Sequence, residues 1–219
     1  MATFLVTGAN RGIGYELCQQ LKALGETVIA VCRSTSDQLD SLGVRVEADT
    51  DITSDESVAA LVKRLKGMPI DVLVNNAGIA KQTTLDDLDF DSIRQQFEVN
   101  SLGALRITHA LLANLSAGSK IAIITSRMGS IADNTSGGYY GYRMSKTALS
   151  MAGKSLSLDL KPRQIAVAIL HPGMVSTDMT GHSGIPAEKA VQGILDRINQ
   201  LNLKNSGTFW HANGEVLPW

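Results

Sequence analysis

Cysteine is scarce: Cys18 and Cys32 are the only two, with neither CxxC nor metal-ligand spacing. That removes a thiolate metal site and a disulfide framework, and leaves two thiols in apolar surroundings, as expected of a reducing compartment. Neither sign of charge dominates. Twenty Lys and Arg face 21 Asp and Glu, a formal net charge of -1, so the basic surface that nucleic acid or an acidic membrane requires is missing. No run approaches the ~20 apolar residues that span a bilayer. The opening Met1-Ala2-Thr3-Phe4-Leu5-Val6 has no basic region or long apolar core, so no signal peptide is expected. Low-complexity tracts, solenoid-length repeats and linker-like stretches are also lacking. What is there is 219 residues, 44% hydrophobic and 19% charged. A cytoplasmic, single-domain protein spanning 1–219 with a sizeable core is expected.

Short apolar runs recur along the chain: Phe4–Val6, Val28–Val31, Val44–Val46, Val72–Val74, Ile121–Ile124 and Ile165–Leu170, with a late one at Thr208–Trp210. Most are continuous rather than alternating, the pattern of strands covered on both faces. Between them lie helical patterns at Ile13–Leu24, Asp55–Leu65, Ile93–Leu115, Tyr142–Leu160 and Ala187–Leu201. This order predicts an α/β fold, a doubly wound parallel sheet of about seven strands with helices on both faces.

Ligands in such sheets gather beyond the carboxyl ends of the strands. The first strand ends in Thr7-Gly8-Ala9-Asn10-Arg11-Gly12-Ile13-Gly14 and leads directly into a helix. Glycines at Gly8, Gly12 and Gly14 permit a tight turn and a close backbone approach to a pyrophosphate, and the helix N-terminus adds its positive dipole end. The spacing is Gly-x3-Gly-x-Gly rather than GxGxxG, and Asn10, Arg11 and Ile13 lie within the turn. The alternative is a tight turn with no ligand. An NAD site usually carries an acid at the end of the second strand. Here that end reads Val31-Cys32-Arg33-Ser34, so Arg33, flanked by Arg11, would pair with a 2′-phosphate, which favours NADP over NAD.

A second concentration of chemistry lies between Ser126 and Lys146. Tyr142 and Lys146 are four residues apart in a helical pattern and so share a face, about 6 Å apart along the axis. A nearby ammonium lowers the pKa of a phenol, ordinarily about 10, and the Ser126 hydroxyl follows the apolar strand, in position to meet both. Together they form a candidate acid/base site. Ser130 is a rival to Ser126. Arg127, Met128 and Asp133 are candidate pocket residues. His109 falls in an apolar helix and reads as core, His171 reads as a packing or capping residue, and His182 and His211 have no identifiable partner.

These motifs, in this order and across nearly the whole chain, resemble the short-chain dehydrogenase/reductase family, a Rossmann-type fold. Thr7–Gly14 resembles its TGxxxGxG turn, Asn75-Asn76-Ala77-Gly78 its NNAG motif, and Tyr142-x3-Lys146 its YxxxK pair. Asp51-Ile52 resembles the pair near the adenine, Asn100 the family asparagine, and Pro172-Gly173-Met174-Val175-Ser176-Thr177 the segment along the nicotinamide. Within the family, the Gly-Ser-Ile run after Ser126, the block Tyr142–Lys146 and Gly214–Trp219 are most similar to the C-factor and sniffer-type carbonyl reductase branch. The resemblance implies NADPH-dependent reduction of an aldehyde or ketone, or the reverse oxidation of an alcohol. Tyr142 would be the general acid, Ser126 would place the carbonyl, and Lys146 would lower the Tyr142 pKa and hold the nicotinamide ribose. Asn100 would hold a relay water. Asn76, Ala77 and Gly78 would shape the cofactor bed, and Val175 and Thr177 would meet the carboxamide. It also implies a homodimer or homotetramer built on the helices of Ile93–Leu115 and Tyr142–Leu160. Only Met179–Pro186 separates Asp178 from the last helix, so a short lid and an open pocket are expected. A regulatory protein of C-factor type with little turnover is the alternative. No metal, nucleic acid or membrane partner is expected.

Overall fold

The computed structural model describes residues 1–219. Seven strands, β1 (Thr3–Thr7), β2 (Thr27–Val31), β3 (Arg45–Glu47), β4 (Val72–Asn75), β5 (Lys120–Ile124), β6 (Ala166–His171) and β7 (Phe209–His211), form one sheet in the order β3-β2-β1-β4-β5-β6-β7. Every pairing is parallel, as the continuous apolar runs require. The seven helices are α1 (Gly12–Ala23), α2 (Asp37–Ser41), α3 (Asp55–Arg64), α4 (Phe90–Phe97), α5 (Ala104–Ala110), α6 (Tyr140–Asp159) and α7 (Ala187–Gln200).

The two-residue alternation of strand side chains explains how one run serves two cores. Phe4 and Val6 of β1 pack with Leu17 of α1 and Ile194 of α7. Leu5, between them, packs on the opposite face with Leu61 of α3, Ile107 of α5 and Leu149 of α6. Strand order reverses at β1, which lies between β2 and β4. A crevice at the carboxyl ends of β1 and β4 follows from that reversal.

Three expectations change. The helix expected over Ile93–Leu115 is α4, then a π-helical turn Glu98–Gly103, then α5 and a 3-10 turn Leu112–Asn114. A π turn widens the helix by one residue and is common at functional sites. Gly103 ends that turn in close contact with Ile52, since a Cβ there would come within 2.7 Å of Ile52 Cδ1. The third, sixth and seventh strands are each shifted by one residue, to Arg45–Glu47, Ala166–His171 and Phe209–His211. The short α2 was not expected: at five residues it is too brief to show a helical period, and it is set by Ser36, whose hydroxyl accepts from the Leu39 N–H.

Candidate active site

The glycine turn is built by close approach. Gly8 has φ +66°, and a Cβ on it would fall 2.8 Å from Ala77 Cα in the loop after β4. A Cβ on Gly14 would fall 2.1 Å from the Gly8 carbonyl oxygen. Neither position tolerates a side chain. Thr7 locks the two loops together: its hydroxyl accepts from the N–H groups of Asn76 (3.0 Å) and Ala77 (3.1 Å). The Asn76 amide returns a bond to the Thr7 carbonyl at 3.0 Å. Asn76 thus clamps the glycine turn to β4, with Ala77 packed beneath it.

Helix α1 starts on Arg11 with no side-chain cap and no acid in its first turn. The N–H groups at its N-terminus have no partner within the helix. By contrast α3 and α4 are capped by Ser54 and Asp89. An uncapped N-terminus behind a glycine cradle is the arrangement that receives a phosphate. Asn10 offers its carbonyl to the Ser36 hydroxyl at 3.0 Å, and Ile13 packs against the α1 core.

Arg33 and Asp51 share a cavity of about 350 Å³ with Thr53, Arg94, Gln95, Glu98 and Val99. Asp51 is held there by the N–H (2.9 Å) and hydroxyl (2.7 Å) of Thr53. Those bonds, with Arg33 and Arg106 nearby, keep its carboxyl below the usual carboxylate range. Ile52 is buried against Gly103. Arg11 is placed differently from the expectation that it flanks Arg33. Its guanidinium meets Asp178 at 3.1 Å, joining the glycine turn to the loop after β6.

That loop holds the Pro172–Thr177 motif. Gly173 has φ +92° and Pro172 is buried. Thr177 lies against Gly12, where a Cβ would come within 3.3 Å of Thr177 Cγ2. The Val175 carbonyl accepts from the Thr180 hydroxyl at 2.6 Å, so of its backbone groups only the N–H is left to meet a ligand. The short lid is a 3-10 turn, Asp178–Thr180, with a loop closed by the Val175–Ile185 bridge.

Ser126, Tyr142, Lys146 and Asn100 converge above the ends of β4 and β5. Ser126 caps the 3-10 turn Arg127–Gly129, accepting from the Met128 N–H at 3.1 Å. Gly129 of that turn packs onto α6, where a Cβ would stand 2.8 Å from the Lys146 carbonyl carbon. Lys146 is 3% exposed and donates to the Ile124 carbonyl at 3.0 Å, with its Nζ 5.8 Å from the centre of the Tyr142 ring. Burial pulls its pKa down to about 8. Burial also pushes the Tyr142 phenol up, and the Ser126 hydroxyl, within hydrogen-bonding reach, partly opposes that. Lys146 is not among the causes of that shift; the lowering of the Tyr142 pKa expected of it belongs to the proposed mechanism. A phenol is ordinarily protonated at neutral pH, and burial reinforces that form.

Asn100, fully buried in the π-helical turn, spends its side chain on protein contacts. It accepts from the Ile79 N–H (2.8 Å) and donates to the Ile79 carbonyl and the Ser145 hydroxyl (2.9 Å each). These bonds tie the π-helical turn to the loop at Ile79 and to α6. Gly78 lies between, since a Cβ there would stand 3.2 Å from Asn100 Oδ1 and 3.4 Å from Lys146 Nζ.

Other residues fall into place around this centre. Ser130, the rival serine, is buried and accepts from the Asp133 N–H at 3.1 Å. His109 is exposed rather than core. His171 meets His211 edge to face at 4.8 Å, and His182 meets Asp178 at 3.5 Å. Both cysteines are free and buried. Thr7, Ser145 and Gln96 were not singled out from sequence. The Gln96 amide oxygen receives the Lys81 N–H at 3.0 Å, pinning the loop after β4. Only Thr7 had a signal, its place in the glycine motif.

The family model for short chain dehydrogenases matches residues 2–186. The chain belongs to the short-chain dehydrogenase family. A relative from Rhodococcus sp. strain AD45, 1-hydroxy-2-glutathionyl-2-methyl-3-butene dehydrogenase, is 43% identical over 226 residues and covers 100% of both chains. C-signal of Myxococcus xanthus is 46% identical over 155 residues, 69% of this chain and 93% of its own. Among solved structures, the NADPH-bound carbonyl reductase from chicken fatty liver has a TM-score of 0.91 at 31% identity, covering 100% of this chain and 99% of its own. The carbonyl reductase Sniffer of D. melanogaster has a TM-score of 0.92 at 30% identity, covering 100% of both. The backbone likeness to a sniffer carbonyl reductase therefore extends over this short-chain dehydrogenase's whole length, and the sequence likeness to C-signal over 69% of it. None of its helices is long and apolar enough to cross a membrane.

Proposed function

We propose that this oxidoreductase is an NADPH-dependent carbonyl reductase in which Tyr142 is the general acid. The observation that carries the reading is the convergence of Ser126, Tyr142 and Lys146 beside a glycine cradle that a Cβ would fill. The cradle, the uncapped start of α1 and the exposed Arg33 beside Asp51 fit a dinucleotide bearing a 2′-phosphate. NADPH is also what the chicken carbonyl reductase holds.

When bound, the cofactor supplies a hydride to the carbonyl carbon. Ser126 donates a hydrogen bond to the carbonyl oxygen and sets its distance from Tyr142. The neutral Tyr142 phenol gives its proton to that oxygen as negative charge develops there. Lys146, held by the Ile124 carbonyl, places its ammonium behind the ring and stabilises the phenolate left behind. Asn100 fixes the loop at Ile79 and, through Ser145, the helix that carries both groups. The Rhodococcus relative's name describes an alcohol bearing a glutathionyl group, so the test panel includes such a conjugate beside simple aldehydes and ketones.

The experiment is NADPH oxidation over that panel, with Tyr142→Phe as control. Turnover by the native protein, and a loss of about 10²–10⁴-fold in the variant with NADPH still bound, is expected. The likeness to C-signal favours one other reading, a dinucleotide-binding regulatory protein. NADPH binding with no turnover of any carbonyl or alcohol in the panel would replace the first reading with that one.

A homodimer is proposed as well. Leu102 and Leu105 flank the start of α5, and Met144, Met151 and Leu158 lie along α6, all of them exposed. The two helices would cover these residues by pairing with a second copy.

A further inference from the structure

The segment from His211 to Trp219 has no part in the chemistry above, yet it touches both walls of the candidate site. After β7 the chain turns at Gly214, φ +100°, and runs back along the strand. The His211 N–H donates to the Glu215 carbonyl and the Leu217 N–H to the Phe209 carbonyl, both at 2.8 Å, and Trp210 pairs with Val216. That register brings Glu215 to Arg127, the residue directly after Ser126. Arg127 Nη2 donates to Glu215 Oε1 at 2.9 Å. Its Nε stands 2.9 Å from Asp133 Oδ2 but lacks hydrogen-bond alignment, so Glu215 is its directed partner. Further on, the Ala132 N–H donates to the Trp219 carbonyl at 2.9 Å, and the Trp219 ring lies 5.5 Å from Phe209. On the opposite wall, the His211 ring backs Gly173, where a Cβ would come within 3.5 Å of it.

We propose that residues 211–219 are a brace for the substrate end of the site. Glu215, through Arg127, and Trp219, through Ala132, hold the loop from Ser126 to Tyr139 and so determine which carbonyls fit beside Ser126. The inference rests on the carbonyl reductase reading for its substrate. The loop needs such support. Gly137 and Gly138 both have φ +63° and Tyr139 has φ +50°. Between Ile131 and Gly137 every side chain is exposed. The Arg127 pairs are a third to a half exposed, so their contribution to global stability is small. Their effect is on where the loop sits.

The test uses Glu215→Gln, Arg127→Gln, the double variant, Arg127→Lys and Trp219→Ala in the full chain. KM and kcat are measured for a small aldehyde and a bulky aryl ketone, with NADPH affinity by fluorescence titration and hydrogen exchange over residues 127–139. For Glu215→Gln and Arg127→Gln, the expected result is a change of about 3–10-fold in KM for the bulky ketone. The kcat for the small aldehyde and the NADPH affinity should stay within about twofold. The double variant should be no worse than either single one, Arg127→Lys should recover part of the loss, and exchange should quicken in the loop, in Trp219→Ala as well. Unchanged exchange over 127–139 overturns the brace. So does an equal loss on both substrates with a lowered melting temperature, which is general destabilisation. If the native protein turns over no carbonyl, the reductase reading fails, and the exchange measurement alone decides the brace.

Discussion

At the scale of single residues, the site depends on what burial does to two titratable groups. Lys146 sits at about 8, and burial pushes the Tyr142 phenol up from its ordinary value. Reduction needs a protonated phenol and gains from a charged ammonium behind it. Raising the pH removes the Lys146 proton first, so activity should be flat below that pKa and fall above it. Measured as kcat/KM for NADPH, which reports the free enzyme, the falling limb should have a midpoint near 8. Lys146→Arg, which stays charged, should move that limb upward while lowering the plateau. Arg33 gives a second prediction. It is exposed and belongs to no ion pair in the structure. Arg33→Ala should therefore cost little stability but weaken NADPH about tenfold or more, the worth of a charge-assisted pair, with NADH affected far less. Equal weakening of both cofactors in titrations would remove Arg33 from the 2′-phosphate site. Tyr142 and Lys146 were legible because the helical period fixes their common face. Their protonation was not, because desolvation depends on what the rest of the chain packs around them.

At the scale of elements, the distance between β5 and α6 sets the site. The 3-10 turn Arg127–Gly129 carries Ser126 at its start and rests on the α6 backbone at Gly129. Farther along α6, Gly153 allows a similar approach, since a Cβ there would stand 2.9 Å from Ile123 Cδ1 and Ile169 Cγ1. Backbone atoms cannot yield as a side-chain tip can, so Gly129→Ala must push the turn away from the helix. A loss of about 1–3 kcal/mol is expected from overpacking, read as a lower melting temperature. A fall in kcat of about tenfold or more should accompany it, because Ser126 moves with the turn. An alanine variant with native kcat would show that the turn does not position Ser126. The same scale shows where pattern reading stops. Apolar spacing predicts one long helix over Ile93–Leu115, and the backbone does run on, but the π-helical turn at Glu98–Gly103 aims Asn100 at Ile79 and Ser145. Those partners lie 21 and 45 residues away in sequence, so no local window contains them.

At the scale of the whole molecule, the sheet order puts the glycine turn, the loop after β4 and the loop after β6 in one place. Thr7 and Asn76 tie the first two, and Arg11 with Asp178 ties the first to the third. The exposed apolar side chains of α6 lie outside this arrangement. Sedimentation at micromolar concentration should give a dimer, and Met151→Asp with Leu158→Asp should give a monomer whose NADPH affinity is retained. A native protein that sediments as a monomer would leave that face without the proposed partner.

By itself the sequence determined the α/β class, the parallel sheet, the glycine turn and the pairing of Tyr142 with Lys146. Each follows from a period or a spacing within a few residues, where local geometry leaves little choice. Only the tertiary structure decided that Asn100 bonds to Ile79 and Ser145, that Arg11 meets Asp178 and that Glu215 reaches Arg127 across 88 residues. Those contacts depend on strand order and register, which bring distant segments together and which no single segment encodes.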